Sequence, residues 1–170
     1  LYAATKENWK DMGYIAKQYA CPIVASAPGD MSGLKSLAMT LLAIGVEDIV
    51  LDPGTFPEGK HLMDMTSNLT MLRRSAIQKG EKDVGYPIMG VPAIVWLTGE
   101  DPTATSFKEA SLAANLILRY ADLIVIHTME PWALLPIVTL RQNVYTDPRQ
   151  PVAVESGLRA IGRPSDSSPV

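Results

Sequence analysis

Val46-Glu-Asp-Ile-Val-Leu-Asp-Pro-Gly-Thr55 decides the fold class of this 170-residue chain. Ile49, Val50 and Leu51 form a short unbroken apolar run, the pattern of a strand covered on both faces, and such strands belong to parallel sheets. Asp52-Pro53-Gly54 stops the run. Asp52 is therefore placed where a strand's carboxyl end opens into a loop, the position at which barrels and open α/β sheets keep ligand-binding side chains.

Outward from this stretch the same layout repeats. Upstream, Cys21-Pro-Ile-Val-Ala-Ser26 reads as a strand, with Pro22 tolerated at its first position. Asp30 caps a helix over Met31–Ile44 whose Leu34, Leu37, Leu41 and Leu42 share one stripe, and Gly45 closes it. Before that, Trp9, Met12, Ile15, Ala16 and Tyr19 fall at helical spacing, with Thr5 as the expected N-cap. Leu1–Ala4 is too short to assign.

Downstream, His61–Lys79 reads as a helix ended by Gly80, and Tyr86-Pro-Ile-Met-Gly-Val91 as a strand. Ala93–Leu97 either extends that strand past Pro92 or opens a loop. Thr103 or Thr105 caps a helix through Tyr120, and Leu123-Ile-Val-Ile-His127 is the clearest strand in the chain. Glu130–Val144 is helical, with Pro131 acceptable in the first turn and Pro136 expected to bend or shorten it. Tyr145-Thr-Asp-Pro148 breaks the pattern.

Strand and helix thus alternate about five times, which implies parallel strands joined by right-handed crossovers. A doubly wound sheet and part of a (β/α)8 TIM barrel both satisfy that rhythm. The barrel is favoured, because no glycine-rich phosphate fingerprint follows the first strand. In addition, each strand's exit loop carries a polar residue: Thr5, Asp30, Asp52, Thr98 and His127. The expected organisation is the C-terminal part of a barrel over residues 1–148, with residues 149–170 as a linker leading into another domain.

Composition narrows the function classes. The chain is 47% hydrophobic, enough for one sizeable core. With a net charge of −3 and no Lys/Arg run, it lacks the basic field that nucleic acid requires. No apolar run approaches the roughly 20 residues that span a bilayer, and no signal peptide is visible, so a cytoplasmic location is expected. The single cysteine, Cys21, rules out a disulfide framework or a multi-cysteine metal site within this stretch. The chain begins with Leu and ends in the turn-rich Pro164-Ser-Asp-Ser-Ser-Pro-Val170. It is read as a piece of a longer protein.

Candidate chemistry is sparse. Asp52 is suited to hold the polar edge of a ring such as a pterin, yet an Asp-Pro-Gly turn braced by its own aspartate is the commoner role, weighted about two to one here. His127, at a strand end, is placed for a ligand, a general base or a bond across the barrel mouth, against the commoner structural role of a lone histidine. His61 is expected to face solvent. Arg73-Arg74 could meet an anion, but the outer face of a helix is the usual home for such a pair. Trp9, Trp96 and Trp132 read as core or interface residues, and the methionines as packing. With two histidines and one cysteine, no metal site is expected, and no nucleophile, base and oxyanion set is visible.

Taken together, Leu1-Tyr-Ala-Ala-Thr-Lys-Glu-Asn-Trp-Lys10, Val46–Thr55, Tyr86-Pro-Ile-Met89, Glu130-Pro131 and Tyr145-Thr-Asp-Pro148 resemble the large subunit of the corrinoid iron-sulfur protein. Its archaeal equivalent is the gamma subunit of the acetyl-CoA decarbonylase/synthase complex. The resemblance implies a methyl carrier that moves a methyl group between a methyl-tetrahydropterin and the nickel site of acetyl-CoA synthase, as one subunit of a methyltransferase system in acetyl-CoA and one-carbon metabolism. It implies a corrinoid and a [4Fe-4S] cluster in the parent protein, both held mainly outside this stretch, and a C-terminal corrinoid-binding domain entered at residues 149–170. The implied partners are the small subunit in a heterodimer, acetyl-CoA synthase and the methyl-tetrahydropterin methyltransferase, with neither nucleic acid nor membrane. Asn143, Thr146 and Arg149 are the residues expected to touch the corrinoid's amide-rich rim. The same Leu-Asp-Pro-Gly motif also resembles dihydropteroate synthase, whose kind of pterin-binding barrel enzyme is the alternative.

Overall fold

The computed structural model describes residues 1–98 and 101–143. Four strands, β1 (Ile23–Ser26), β2 (Ile49–Asp52), β3 (Met89–Gly90) and β4 (Leu123–Ile124), alternate with helices. The helices are α1 (Trp9–Gln18), α2 (Met31–Ala43), α3 (Gly59–Gln78), α4 (Pro102–Leu118) and α5 (Pro131–Asn143). β1 and β2 pair in parallel, from Ile23 opposite Ile49 to Ser26 opposite Asp52. β3 and β4 also pair in parallel, with Met89 opposite Leu123. A parallel bridge between Leu51 and Ile88 joins the two pairs, and another between Ala4 and Ala25 adds the first residues at the far edge. The result is the expected α/β architecture, with five parallel segments lying side by side in chain order.

Alternation along each strand separates two faces. Ile23, Ala25, Ile49, Leu51 and Ile88 point toward the helices and form one apolar cluster with Leu34, Leu37 and Leu41 of α2, Met65, Leu69 and Leu72 of α3, and Leu112 and Leu116 of α4. Val24, Val50, Met89 and Leu123 fall on the opposite face by register and stand outside both apolar clusters. Leu123 there is 47% exposed. All the helices that join this core thus cover one face.

Local chemistry explains most element ends. Asp30 accepts a hydrogen bond from Gly33 N at 2.8 Å and starts α2 as expected. At the other end, Gly45 N bonds Leu42 O and Val46 N bonds Leu41 O, a Schellman closure around Gly45 at φ +88°. Buried Val46 and Leu41 supply its apolar contact. α1 passes the end of α2 at Gly13, where a Cβ would lie 2.6 Å from Ile44 Cδ1, so a larger residue there would require the Ile44 side chain to move.

Several expectations need correction. Thr5 does not cap α1; Asn8 holds the N-cap position, and its Oδ1 accepts from Thr5 N at 2.7 Å in the preceding turn. α4 is capped by Asp101, which accepts from Ala104 N at 2.9 Å and is followed by Pro102, so neither Thr103 nor Thr105 does so. Thr105 instead donates its hydroxyl back to Asp101 O. The strands expected over 86–91 and 123–127 contract to two residues each. Pro87 and Pro92 bracket β3 and lack ladder donors, and β4 can be no longer than the partner it pairs with. The segment after β3 is neither strand nor open loop but a 3₁₀ run, Pro92–Thr98. Pro136 lies inside α5 without ending it.

Arg73 and Arg74 part company. Arg74 is exposed, whereas Arg73 is 2% exposed and reaches from α3 to the turn before β4. Its Nη2 donates to Tyr120 O at 2.8 Å and pairs with the Asp122 carboxylate, which also accepts from Ile88 N at 2.9 Å. One ion pair therefore ties α3, the α4–β4 turn and the lead-in to β3 together. No helix among the described residues is long and apolar enough to cross a membrane.

Candidate functional site

Polar side chains gather at the carboxyl ends of the strands, in two clusters. The first is built on the β1–β2 register, which sets Ser26 directly opposite Asp52. Asp52 is 3% exposed; its Oδ2 accepts from Ser26 Oγ at 3.0 Å and from Tyr2 Oη at 3.2 Å, and its Oδ1 accepts from Gly54 N at 2.9 Å. The turn that follows is tight. Gly54 has φ +87°, and a Cβ there would sit 2.8 Å from Pro28 Cβ. Thr55 then reaches forward, its Oγ1 accepting from Val91 N at 2.8 Å.

Asp52 thus braces its own turn, and both its oxygens are engaged by donors of this chain. Burial, and next the Asp52 carboxylate, raise the Tyr2 phenol above its ordinary range. The folded chain holds that proton more tightly than the unfolded chain does. The contact's contribution is therefore intact below about pH 10 and is lost as pH rises through the raised folded value. In denaturant unfolding of the full-length protein, wild type should lose stability above about pH 10 more steeply than Tyr2→Phe. Equal slopes in the two proteins would show that Tyr2 does not titrate against Asp52.

The second cluster is organised by a residue that the sequence reading passed over. Glu109, fully buried on α4, accepts three N–H groups: Oε1 takes His127 N at 2.5 Å, and Oε2 takes Trp96 Nε1 at 2.8 Å and Thr128 N at 2.9 Å. Thr128 donates its hydroxyl to Ser106 Oγ at 3.1 Å. The imidazole of His127 lies against the Trp96 ring, centroids 4.5 Å apart and tilted by 57°. Between these groups, the start of α4 and Trp132 of α5 lies an open cavity of about 380 Å³. Glu109 had one signal in the sequence. It falls on the stripe Thr105, Leu112, Leu116, where a charged residue interrupts the buried face of a helix.

The other candidates are placed plainly. His61 is exposed at the start of α3 and rests against Phe56, ring centroids 5.5 Å apart. Cys21 is partly buried against the core, as is Trp9. Asn143, at the end of α5, donates Nδ2 to Thr139 O at 2.8 Å, which leaves Oδ1 as its other polar atom. Thr146 and Arg149 lie outside the described residues, as does the whole linker over residues 149–170.

Among the described residues no group of three or more His, Cys, Asp or Glu is arranged to hold a metal ion. The chain does not fit an iron–sulfur cluster, since Cys21 is its single thiol and such clusters take four thiolates. The site's two buried carboxylates are both consumed in holding backbone and ring N–H groups. The arrangement positions loops; it does not assemble a nucleophile beside a base.

Over residues 1–170 the sequence matches the family described as CO dehydrogenase/acetyl-CoA synthase delta subunit. Among curated relatives it is 45% identical over 171 residues to an acetyl-CoA decarbonylase/synthase complex subunit gamma 2 of Methanosarcina thermophila. It is 47% identical to a subunit gamma 1 of Methanosarcina mazei. In each case all of this chain is covered, but only 36% of the relative. A subunit gamma of Methanothermobacter thermautotrophicus is 43% identical, with 100% of this chain and 37% of the relative covered. The chain thus spans little more than a third of the length of these relatives. The family match corrects the resemblance to the corrinoid iron-sulfur protein large subunit, because the family found over the full length is the delta subunit's.

Proposed function

The chain belongs to the CO dehydrogenase/acetyl-CoA synthase delta subunit family, and from that membership we propose that it is the barrel scaffold of a corrinoid protein in an acetyl-CoA decarbonylase/synthase complex. In this role the parent protein passes a methyl group between a methyl-tetrahydropterin and the nickel site of acetyl-CoA synthase, so the chain is part of a methyltransferase system without being its catalyst. The corrinoid, and a [4Fe-4S] cluster, are held by other parts of the parent protein. Its partners are a second corrinoid-protein subunit, the acetyl-CoA synthase and the methyltransferase that supplies the methyl group.

The observation that carries this reading is the engagement of both buried carboxylates, Asp52 at the end of β2 and Glu109 within α4, by the chain's own donors. A scaffold needs its loops fixed; a pterin enzyme of the dihydropteroate synthase kind needs an acceptor left open for the ring, and Asp52 is not open. The (β/α)8 arc over residues 1–148 belongs to the same proposal. It is supported by parallel segments in unbroken chain order, which a doubly wound sheet would reverse at its switch point. Residues 149–170 lead toward the corrinoid domain in this scheme, with Asn143, Thr146 and Arg149 against the cofactor's rim; the placement of Asn143 at the end of α5 supports it.

The test is the visible spectrum of the full-length protein purified without oxygen. Corrinoid and iron–sulfur absorption is the expected result. A colourless protein that binds a pterin, with an affinity that falls on Asp52→Asn, would overturn the carrier role in favour of the enzyme.

A further inference from the structure

We propose that the cavity at the carboxyl end of β4 is a binding site for a planar nitrogen heterocycle carrying N–H donors, neutral or cationic, a role separate from the carrier function above. The volume, about 380 Å³, lies at the small end of the range of roughly 300–1,000 Å³ found for ligand pockets. Its walls supply flat aromatic surface from Trp96, His127 and Trp132, and polar edges from Ser106, Thr128 and Glu130. Aromatic faces attract planar rings and cations alike.

The sign of the ligand follows from charge. Among the described residues no lysine or arginine lines the cavity; Glu130 stands at its edge and buried Glu109 behind its wall. An anion would meet two carboxylates, with only the His127 imidazole as a basic group among the described lining residues. The start of α4, which also faces the cavity, does not reverse this. Its Pro102 has no N–H, and the Asp101 carboxylate already takes Ala104 N. A ring with N–H groups finds acceptors instead, in the Glu130 carboxylate and the hydroxyl oxygens.

The site is also built in advance. Glu109 fixes the Trp96 ring through its Nε1 and the 127–128 backbone through two N–H groups, so that side of the cavity keeps its shape without a ligand. Pre-formed walls lower the ordering cost of binding.

Adenine and benzoate, titrated separately into the full-length protein by calorimetry, test the proposal. Saturable binding of adenine with none of benzoate is expected. Trp132→Ala and Glu130→Gln, both at exposed positions, should each weaken adenine binding by roughly tenfold, in line with the loss of one aromatic or charge-assisted contact. Absence of adenine binding, equal binding of benzoate, or adenine binding untouched by both substitutions would each overturn the assignment.

Discussion

Asp122→Ala should destabilise the full-length protein by about 3–5 kcal/mol, the cost typical of removing one partner from a buried ion pair. The Arg73 guanidinium, 2% exposed, would keep its charge and lose its counter-ion. Its Nε and Nη1 already find no hydrogen-bond acceptor, so the Asp122 carboxylate and Tyr120 O carry the whole burden of satisfying it. The same substitution strips Ile88 N of its acceptor at the point where β3 joins the sheet. Loss of the pair therefore loosens α3 and the central edge of the sheet together. The paired replacement Arg73→Met with Asp122→Leu should recover most of the loss, because two apolar side chains leave no uncompensated charge. Chemical denaturation of wild type, the single variant and the pair decides the matter. A single variant as stable as wild type would mean that water reaches Arg73 and the pair is not buried in solution.

What the sequence makes legible follows the range of the interactions involved. Asp30, Gly45 and the run Ile49–Leu51 act within a few residues of themselves, and their roles in the structure are those their chemistry implies. The start of α4 was equally local, since Asp101-Pro102 has the signature of a cap followed by proline at the first helical position, and two nearby threonines drew attention away from it. The shortness of β3 and β4 was not local. A strand's length is set by its neighbours, and apolar content in Leu123–His127 could not reveal that its partner offers only Met89 and Gly90. The pairing of Ala4 with Ala25 is of the same kind: a segment too short to have a pattern becomes a strand edge because β1 supplies the ladder. The charge of Arg73 and its neighbour Arg74 suggest a solvent-facing pair, but the environment of Arg73 depends on Asp122, 49 residues away. For the site, the strand-end position of Asp52 was legible, and so was its turn-bracing role, whereas His127 lies three residues past the end of β4 rather than on it. The residue that arranges the second cluster was not legible, because a glutamate within a helix is ordinarily a solvent-facing residue and only tertiary contacts reverse that expectation.

Glu109→Ala should cost about 2–4 kcal/mol, since one buried and two part-buried N–H donors lose their acceptor and the full penalty of roughly 1–3 kcal/mol applies to the buried one. The loss falls on one loop. His127 N and Thr128 N are released at the end of β4, and Trp96 Nε1 in the 3₁₀ run beside it. Hydrogen exchange at the 127 and 128 amides should therefore accelerate far more than exchange in β1 or β2, which share no donor with Glu109. Glu109→Gln separates shape from charge. Its amide can turn its oxygen toward Trp96 Nε1 and Thr128 N, but its NH₂ then faces His127 N, donor against donor. The expected stability lies between alanine and wild type, with exchange faster at 127 than at 128. If instead the glutamine variant matched wild type at both amides, the carboxylate charge would be dispensable. The second cluster would then be held by packing around Trp96 rather than by three converging hydrogen bonds.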